Sequence, residues 1–213
     1  ISKADFVACH KPSYVYEYDM VQDVKPGGSF LLNCQWSDDE LDQHLPAKMK
    51  KYIAENNINF YTIDGVKLGK EIGLGNRINT ILQSAFFSIA NIIPADQAIQ
   101  YMKDAATKSY SKKGQKIVDM NHAAIDRGAK EYHKVNVPES WKNAVDAPAE
   151  EKAIEGTPEQ VKYVKEVLIP ANKYKGNELP VSTFVDMANG AVPSGTSAYE
   201  KRGIAIDVPE WNP

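Results

Sequence analysis

Three short apolar runs lie in the first third of the chain, separated by segments of helical periodicity. Asp5–Cys9 and Ser29–Cys34, the latter with Phe30, Leu31 and Leu32, are apolar at consecutive positions. Continuous rather than alternating hydrophobicity predicts strands covered on both faces, as in a parallel sheet. Ile58–Ile63 predicts a third such strand. Tyr14, Val15, Tyr18 and Val21 recur at helical spacing and predict a helix over Ser13–Val21. Pro26-Gly27-Gly28 predicts a turn before the second strand. Ser37-Asp38-Asp39-Glu40 carries the capping-box pattern, in which Ser and Glu each bond the other's backbone amide. The helix it opens runs to about Glu55 through Leu41, Leu45, Met49, Tyr52 and Ile53, with Pro46 as a disturbance. A β-α-β-α-β order implies right-handed crossovers and a parallel or mixed sheet.

Helices then take over. Val66–Ile72 has a helical pattern, and Asn76 is the expected cap of a helix running to about Ile92. Ile78, Ile81, Leu82, Ala85, Phe86, Phe87, Ile89, Ile92 and Ile93 ring that helix, which predicts burial on all sides. Asn79 and Gln83, one turn apart on it, would then need polar partners. The uncharged run Ile78–Ala95 is interrupted by six polar residues and ended by Pro94, so it reads as a core helix and not as a membrane span. Pro94 opens the next helix, to about Tyr110. Gly114–Lys134 predicts another, with His122 and His133 as surface or capping residues. The stretch 143–158, rich in Ala, Glu and Pro, reads as a linker. Glu159–Leu168 is a last helix, expected to stop before Pro170. The remainder, punctuated by Pro and Gly, should wrap a partner surface and has little apolar content for a core of its own.

Composition narrows the function. The 213 residues are 43% hydrophobic and 25% charged, an ordinary globular balance. A formal charge of −3 offers no basic excess for nucleic acid. The first residues, Ile1–Ala8, carry no leader-like apolar stretch. No Asn-x-Ser/Thr sequon occurs, which is consistent with a reducing interior. The two cysteines, Cys9 and Cys34, cannot by themselves form a disulfide framework or hold an iron–sulfur cluster, which needs about four thiolates.

Two places carry candidate chemistry. Cys9 and Cys34 end predicted strands, and in a parallel sheet they share the carboxyl rim, where ligands bind in open α/β folds, with His10 and Asp64. By type this is a zinc set. The ligands come from three segments with no Cys-x-x-Cys spacing, so buried thiols and a helix-capping Asp64 are the preferred reading. Gly73-Leu74-Gly75-Asn76-Arg77 resembles half of a phosphate-cradling glycine loop, with Arg77 and the amides near Asn76 as anion donors. The competing reading is a tight turn. No Gly-x-Ser-x-Gly, His-Glu-x-x-His or Gly-Lys-Ser/Thr motif occurs.

Two further segments carry a resemblance. Glu71-Ile72-Gly73-Leu74-Gly75-Asn76-Arg77-Ile78-Asn79-Thr80-Ile81-Leu82-Gln83-Ser84-Ala85-Phe86-Phe87 and Gly195-Thr196-Ser197-Ala198-Tyr199-Glu200-Lys201-Arg202-Gly203-Ile204-Ala205 are similar to segments of the pyruvate:ferredoxin (flavodoxin) oxidoreductases. Phe30–Trp36, Asp119–Asn121, Val137–Trp141 and Leu179–Ser182 support the likeness. The resemblance implies an α/β, three-layer Rossmann-like domain over 1–142, of the gamma type and incomplete at its N-terminus. After the linker 143–158 it implies an extended, loop-rich Glu-Lys-Arg connector over 159–213, ahead of an iron–sulfur domain. The parent enzyme it implies is a cytoplasmic or hydrogenosomal homodimer that converts pyruvate to acetyl-coenzyme A and passes electrons to ferredoxin or flavodoxin. Its implied cofactors are thiamine diphosphate, Mg and 4Fe-4S clusters, with coenzyme A as co-substrate. No catalytic, cofactor or metal residue of the family carries over to this chain. Asn76, Arg77, Asn79 and Gln83 remain as interface or anion-binding positions. Alone, the chain is expected to be inactive, and an exposed sheet edge should make it self-associate or exist only beside the rest of its enzyme. The alternative is a free-standing module for coenzyme A or another nucleotide.

Overall fold

A computed structural model describes residues 3–146, 153–200 and 209–210. The chain divides into two compact units, one formed by Ile1–Val15 and Met20–Val145, the other by Tyr16–Asp19 and Asp146–Pro213.

The first unit is built on a four-stranded mixed sheet in the order β1 (Ala4–Cys9), β2 (Val24–Asn33), β3 (Asn59–Ile63), β4 (His133–Lys134). The first three strands are parallel, and β4 runs antiparallel to β3, pairing Lys134 with Tyr61 and His133 with Thr62. The helices are α1 (Tyr14–Glu17), α2 (Asp38–His44), α3 (Ala47–Glu55), α4 (Gly65–Ile72), α5 (Asn79–Ala90), α6 (Ala95–Tyr110) and α7 (Gln115–Gly128). Alternate strand residues feed two cores. Phe30, Leu32, Cys34 and Phe60 face Leu41, Ile53 and Trp141, while Leu31 and Ile63 face Leu68, Ile81, Leu82, Ala85 and Ala124. This double burial explains why the strands are apolar at every position, and it gives the three layers expected of the fold class.

Several local expectations give way to context. Pro26-Gly27-Gly28 is not a turn between elements but an irregularity inside β2: Ala4 pairs with Val24 and Phe6 with Ser29, so β2 carries three extra residues. The arch is tied down by the Gly27 amide donating to the Asn56 carbonyl at 2.9 Å and by Asn59 Nδ2 donating to the Gly27 carbonyl at 3.0 Å. The helix expected over Ser13–Val21 is only α1, followed by a 3-10 turn at Met20–Asp23. The Ser37–Glu40 capping box forms as expected. Its helix breaks at Leu45, which takes an extended conformation (ψ 133°) because the ring of Pro46 disfavours a helical residue before it. Trp141 closes the unit from below residue 142. It is buried, and its Nε1 donates to Asp42 Oδ1 at 2.8 Å.

The helix expected over Gly114–Lys134 ends at Gly128, and His133 belongs to β4 instead. Its Nε2 lies 3.0 Å from Asp38 Oδ1. His122, expected at the surface or as a cap, is instead half-buried in the middle of α7 and bridges to α6, with Nε2 3.1 Å from the Lys103 carbonyl and 2.8 Å from Thr107 Oγ1.

In the second unit Thr157 and Gln160 form another capping box at the start of α8 (Pro158–Tyr163). The helix does not stop before Pro170. A π-helical turn over Val164–Leu168 leads into α9 (Ile169–Asn172), which contains Pro170. The Ile169 amide bonds the Val164 carbonyl five residues back, and this wider turn changes the bonding register just ahead of a residue that has no amide hydrogen to donate. Short 3-10 turns follow at Gly176–Glu178, Val181–Met187 and Thr196–Tyr199. Large apolar side chains stay exposed there, among them Val181, Phe184 and Val185. The middle of the expected linker, residues 147–152, and Lys201 and Arg202 of the Glu-Lys-Arg signature lie outside the described residues.

Candidate functional site

The carboxyl edge of the sheet holds the first candidate set. Cys9 closes β1 and is buried, and its thiol donates to the Lys11 carbonyl at 3.0 Å. Cys34 follows β2 and is also buried. Burial pushes both thiols up to about 11, against smaller opposing effects of backbone hydrogen bonds. Burial thus favours the protonated, weakly nucleophilic form of both thiols at neutral pH. His10 is exposed. Asp64 Oδ1 accepts from the Lys67 amide at 2.9 Å and so caps α4. Among the described residues no three His, Cys, Asp or Glu side chains come together as a metal set. In this arrangement Cys9 and Cys34 are buried thiols and Asp64 is a helix cap.

A residue that sequence reasoning passed over organises this edge. Asn33, the last residue of β2, is 3% exposed. Its Nδ2 donates to the His10 carbonyl and its Oδ1 accepts from the Gly65 amide, each at 2.9 Å. One amide side chain thus ties the exit of β1 to the entrance of α4. Its sequence signal was a lone carboxamide closing the run Phe30-Leu31-Leu32.

The glycine segment is the second candidate, and it is a helix stop. Gly73 is left-handed (φ 92°), a conformation that favours glycine, and ends α4. Its amide and that of Leu74 both turn back to the Gly69 carbonyl, at 3.1 and 2.8 Å. The Arg77 amide bonds the Leu74 carbonyl, and the Ile78 amide that of Asn76. Four of the amides an anion would need are therefore engaged within the turn. The helix begins at Asn79 with Ile78 as its cap, not at Asn76. Asn76, Arg77, Asn79 and Gln83 are all exposed, so Asn79 and Gln83 need no buried partner. Nor is α5 buried all round. Ile81, Leu82, Ser84 and Ala85 are buried, Phe86, Phe87 and Ile89 are partly exposed, and Ile92 beyond its end is 66% exposed. On the buried side Ser84 Oγ donates to the Ile125 carbonyl at 2.5 Å, locking α5 to α7.

No helix among the described residues is long and apolar enough to cross a membrane.

Comparison with known proteins places this architecture. A family model described as pyruvate ferredoxin/flavodoxin oxidoreductase matches residues 1–131, and one described as a domain of unknown function, with the label EKR, matches residues 149–205. The chain is 51% identical to the pyruvate:ferredoxin oxidoreductase of Moorella thermoacetica over all 213 residues, which are 18% of that protein's length. It is 48% identical to a pyruvate-flavodoxin oxidoreductase of Enterobacter agglomerans, with 99% of this chain and 18% of the relative covered. It is 40% identical to a pyruvate dehydrogenase [NADP(+)] of Cryptosporidium parvum, covering 98% of this chain and 12% of the relative. Among solved structures, the PORC subunit of pyruvate oxidoreductase from Thermotoga maritima shares the fold, with a TM-score of 0.50 at 16% identity over 62% of this chain and 66% of that one. The chain spans less than a fifth of these curated relatives. On the match over residues 1–131 and the identities over its whole length, it belongs to the pyruvate ferredoxin/flavodoxin oxidoreductase family.

Proposed function

We propose that this chain is a non-catalytic part of an enzyme that oxidatively decarboxylates pyruvate to acetyl-coenzyme A and passes the electrons through iron–sulfur clusters to ferredoxin or flavodoxin. The observation that carries this reading is end-to-end similarity, at 51% identity, to 18% of a pyruvate:ferredoxin oxidoreductase. In this reading the whole enzyme is a cytoplasmic homodimer that uses thiamine diphosphate, Mg, 4Fe-4S clusters and coenzyme A.

The thiols of this chain do not fit an iron–sulfur cluster. A cluster takes about four thiolates, whereas Cys9 and Cys34 are two buried, protonated thiols, one of them already bonded to a carbonyl. Asp64 is engaged as a helix cap. The role proposed for this chain is to hold neighbouring domains. Asn76, Arg77, Asn79 and Gln83 serve it as an exposed polar surface at the start of α5.

Pyruvate- and coenzyme A-dependent viologen reduction tests the reading. The full-length enzyme should show it and the purified 213-residue chain should not. Activity of the chain alone, or a full-length enzyme inert toward pyruvate, would overturn it.

A further inference from the structure

Two steps of the chain place an Asp or Asn directly before glycine, Asp64-Gly65 and Asn189-Gly190. Glycine has no Cβ to shield its backbone nitrogen. That nitrogen can attack the side-chain carbonyl carbon of the residue before it and close a five-membered imide. The fold treats the two steps in opposite ways.

Asp64-Gly65 is locked. Asp64 Oδ1 accepts from the Lys67 amide, and the buried Gly65 amide donates to Asn33 Oδ1, each at 2.9 Å. The nitrogen that would attack is engaged in the interior, at the first residue of α4.

Asn189-Gly190 is open. Both residues are exposed and lie in the irregular stretch between the 3-10 turns Val181–Met187 and Thr196–Tyr199. A Cβ at Gly190 would meet nothing within 4 Å, so nothing crowds its nitrogen. The Asn189 side chain folds back along its own backbone, with Oδ1 accepting from the Ala191 amide at 3.0 Å. Spanning Gly190 in this way, the bond draws the carboxamide carbon toward the Gly190 nitrogen. The same donor stabilises negative charge as it develops on Oδ1. Among the described residues the Gly190 amide is restrained by a 2.8 Å bond to the Met187 carbonyl. A lone bond in a surface turn opens readily.

We propose that Asn189 is a self-modifying site that deamidates through its own backbone. The Gly190 nitrogen gives its proton to water and bonds to Cγ of Asn189. The Cγ–Nδ2 bond breaks, and Nδ2 leaves as ammonia with the returned proton. Water then adds to either carbonyl of the imide and yields aspartate or isoaspartate. No electrons are transferred, and water is the sole co-reactant, so the step stands apart from the oxidoreductase reading. Its product changes a defined surface. Asn189 lines a groove of about 260 Å³ together with Glu159, Glu166, Asp186 and Lys162. A new carboxylate there raises the acidic groups from three to four against the Lys162 ammonium, which stands 3.9 Å from Asp186.

Peptide mapping tests this on the full-length enzyme, held native in mildly alkaline buffer made with heavy-oxygen water. Residue 189 should convert ahead of every other asparagine of this chain, gaining one heavy oxygen and giving both aspartate and isoaspartate. Asp64 should give isoaspartate in urea and none in the native enzyme. Gly190→Ala should slow the conversion several-fold. Asn189→Gln leaves the backbone untouched and is one carbon too long for the five-membered ring, so it should abolish the isoaspartate at 189. Three outcomes would overturn the proposal: a native residue 189 as inert as Asp64, an unchanged rate in Gly190→Ala, or a product that is aspartate alone, the mark of direct hydrolysis.

Discussion

The carboxamide of Asn33 accepts from the Gly65 amide at 2.9 Å, joining the end of β2 to the first residue of α4 across 32 positions of sequence. The other half of the same group holds the His10 carbonyl. Asn is the side chain that suits both, because it offers one donor and one acceptor. Asn33→Ala should leave two backbone groups in the interior without partners, at roughly 1–3 kcal/mol each. Asn33→Asp should also destabilise, since a carboxylate oxygen then faces the His10 carbonyl in a site that is 3% exposed. Urea denaturation of the two variants checks this. A midpoint unchanged in both would show that the clamp contributes nothing.

A second tight relationship fixes α5 against α7. A Cβ at Gly128 would stand 2.3 Å from the Ile81 carbonyl oxygen, backbone that has no rotamer by which to withdraw. Gly128→Ala should therefore destabilise despite the better helix propensity of alanine, by about 1–3 kcal/mol or more. Ser84→Ala, which removes the neighbouring bond to Ile125, should cost about 1 kcal/mol. Thermal unfolding of both should rank Gly128→Ala as the larger loss. The reverse order would mean that the helices can move apart cheaply.

Arg127 predicts a smaller effect. It bonds Glu131 twice, at 2.5 and 2.8 Å, and reaches Glu71 on α4 at 2.7 Å. Those hydrogen bonds hold the Glu131 carboxyl below its ordinary value. A depressed carboxylate contributes stability above its unfolded value near 4.5, and the contribution is lost as pH falls through its lower folded value. The network is largely open to solvent, so Arg127→Lys should cost under about 1 kcal/mol. Salt should shrink that difference, and acid titration of the variant should lose less stability than the parent. Melting curves at low and high ionic strength measure it.

The strands were legible because burial on both faces leaves a mark at every position, as in Phe30-Leu31-Leu32. The capping box at Ser37 was legible because both of its partners are local. Other features were hidden because distant contacts decide them. Asn76 has the chemistry of a helix cap, but the turn that closes α4 through Gly73 and Leu74 extends past it and moves the start of α5 to Asn79. β4 is two exposed residues paired with β3, too short to carry a period. The local stop signal of Pro170 was overridden by a π turn. At the candidate site, Asp64 was readable as a cap, whereas the clamp at Asn33 depends on backbone groups of His10 and Gly65 that have no signature in sequence.

Domain division gives a prediction that rests on composition. The two units part between Val145 and Asp146, inside the Ala-, Glu- and Pro-rich stretch 143–158. Limited proteolysis should cut that stretch first, and mass spectrometry of the products should return a fragment that retains Trp141. First cuts within 79–90, with 143–158 intact, would contradict the division.

The two thiols yield a pH prediction. Cys9 and Cys34 are pushed from the ordinary thiol value of 9.0 up to about 11, chiefly by burial; a backbone hydrogen bond opposes the rise at each, while the neighbouring thiol at Cys9, and Asp64 and Glu40 at Cys34, add to it. In the folded state both hold their protons more tightly than in the unfolded chain. Their contribution is therefore fully present below about pH 9 and is lost as pH rises from there through about 11. Alkaline unfolding should begin in that window, and Cys9→Ser with Cys34→Ala should flatten the fall there while lowering stability at neutral pH, because the substitutions shrink or polarise buried sites. Alkylation by iodoacetamide at pH 8 should be slow for both residues in the folded protein and fast in urea, since only the thiolate reacts. Rapid modification of either cysteine in the native chain would show that its thiol is accessible and ionised, and the carboxyl edge of the sheet would then have to be reconsidered as a reactive site.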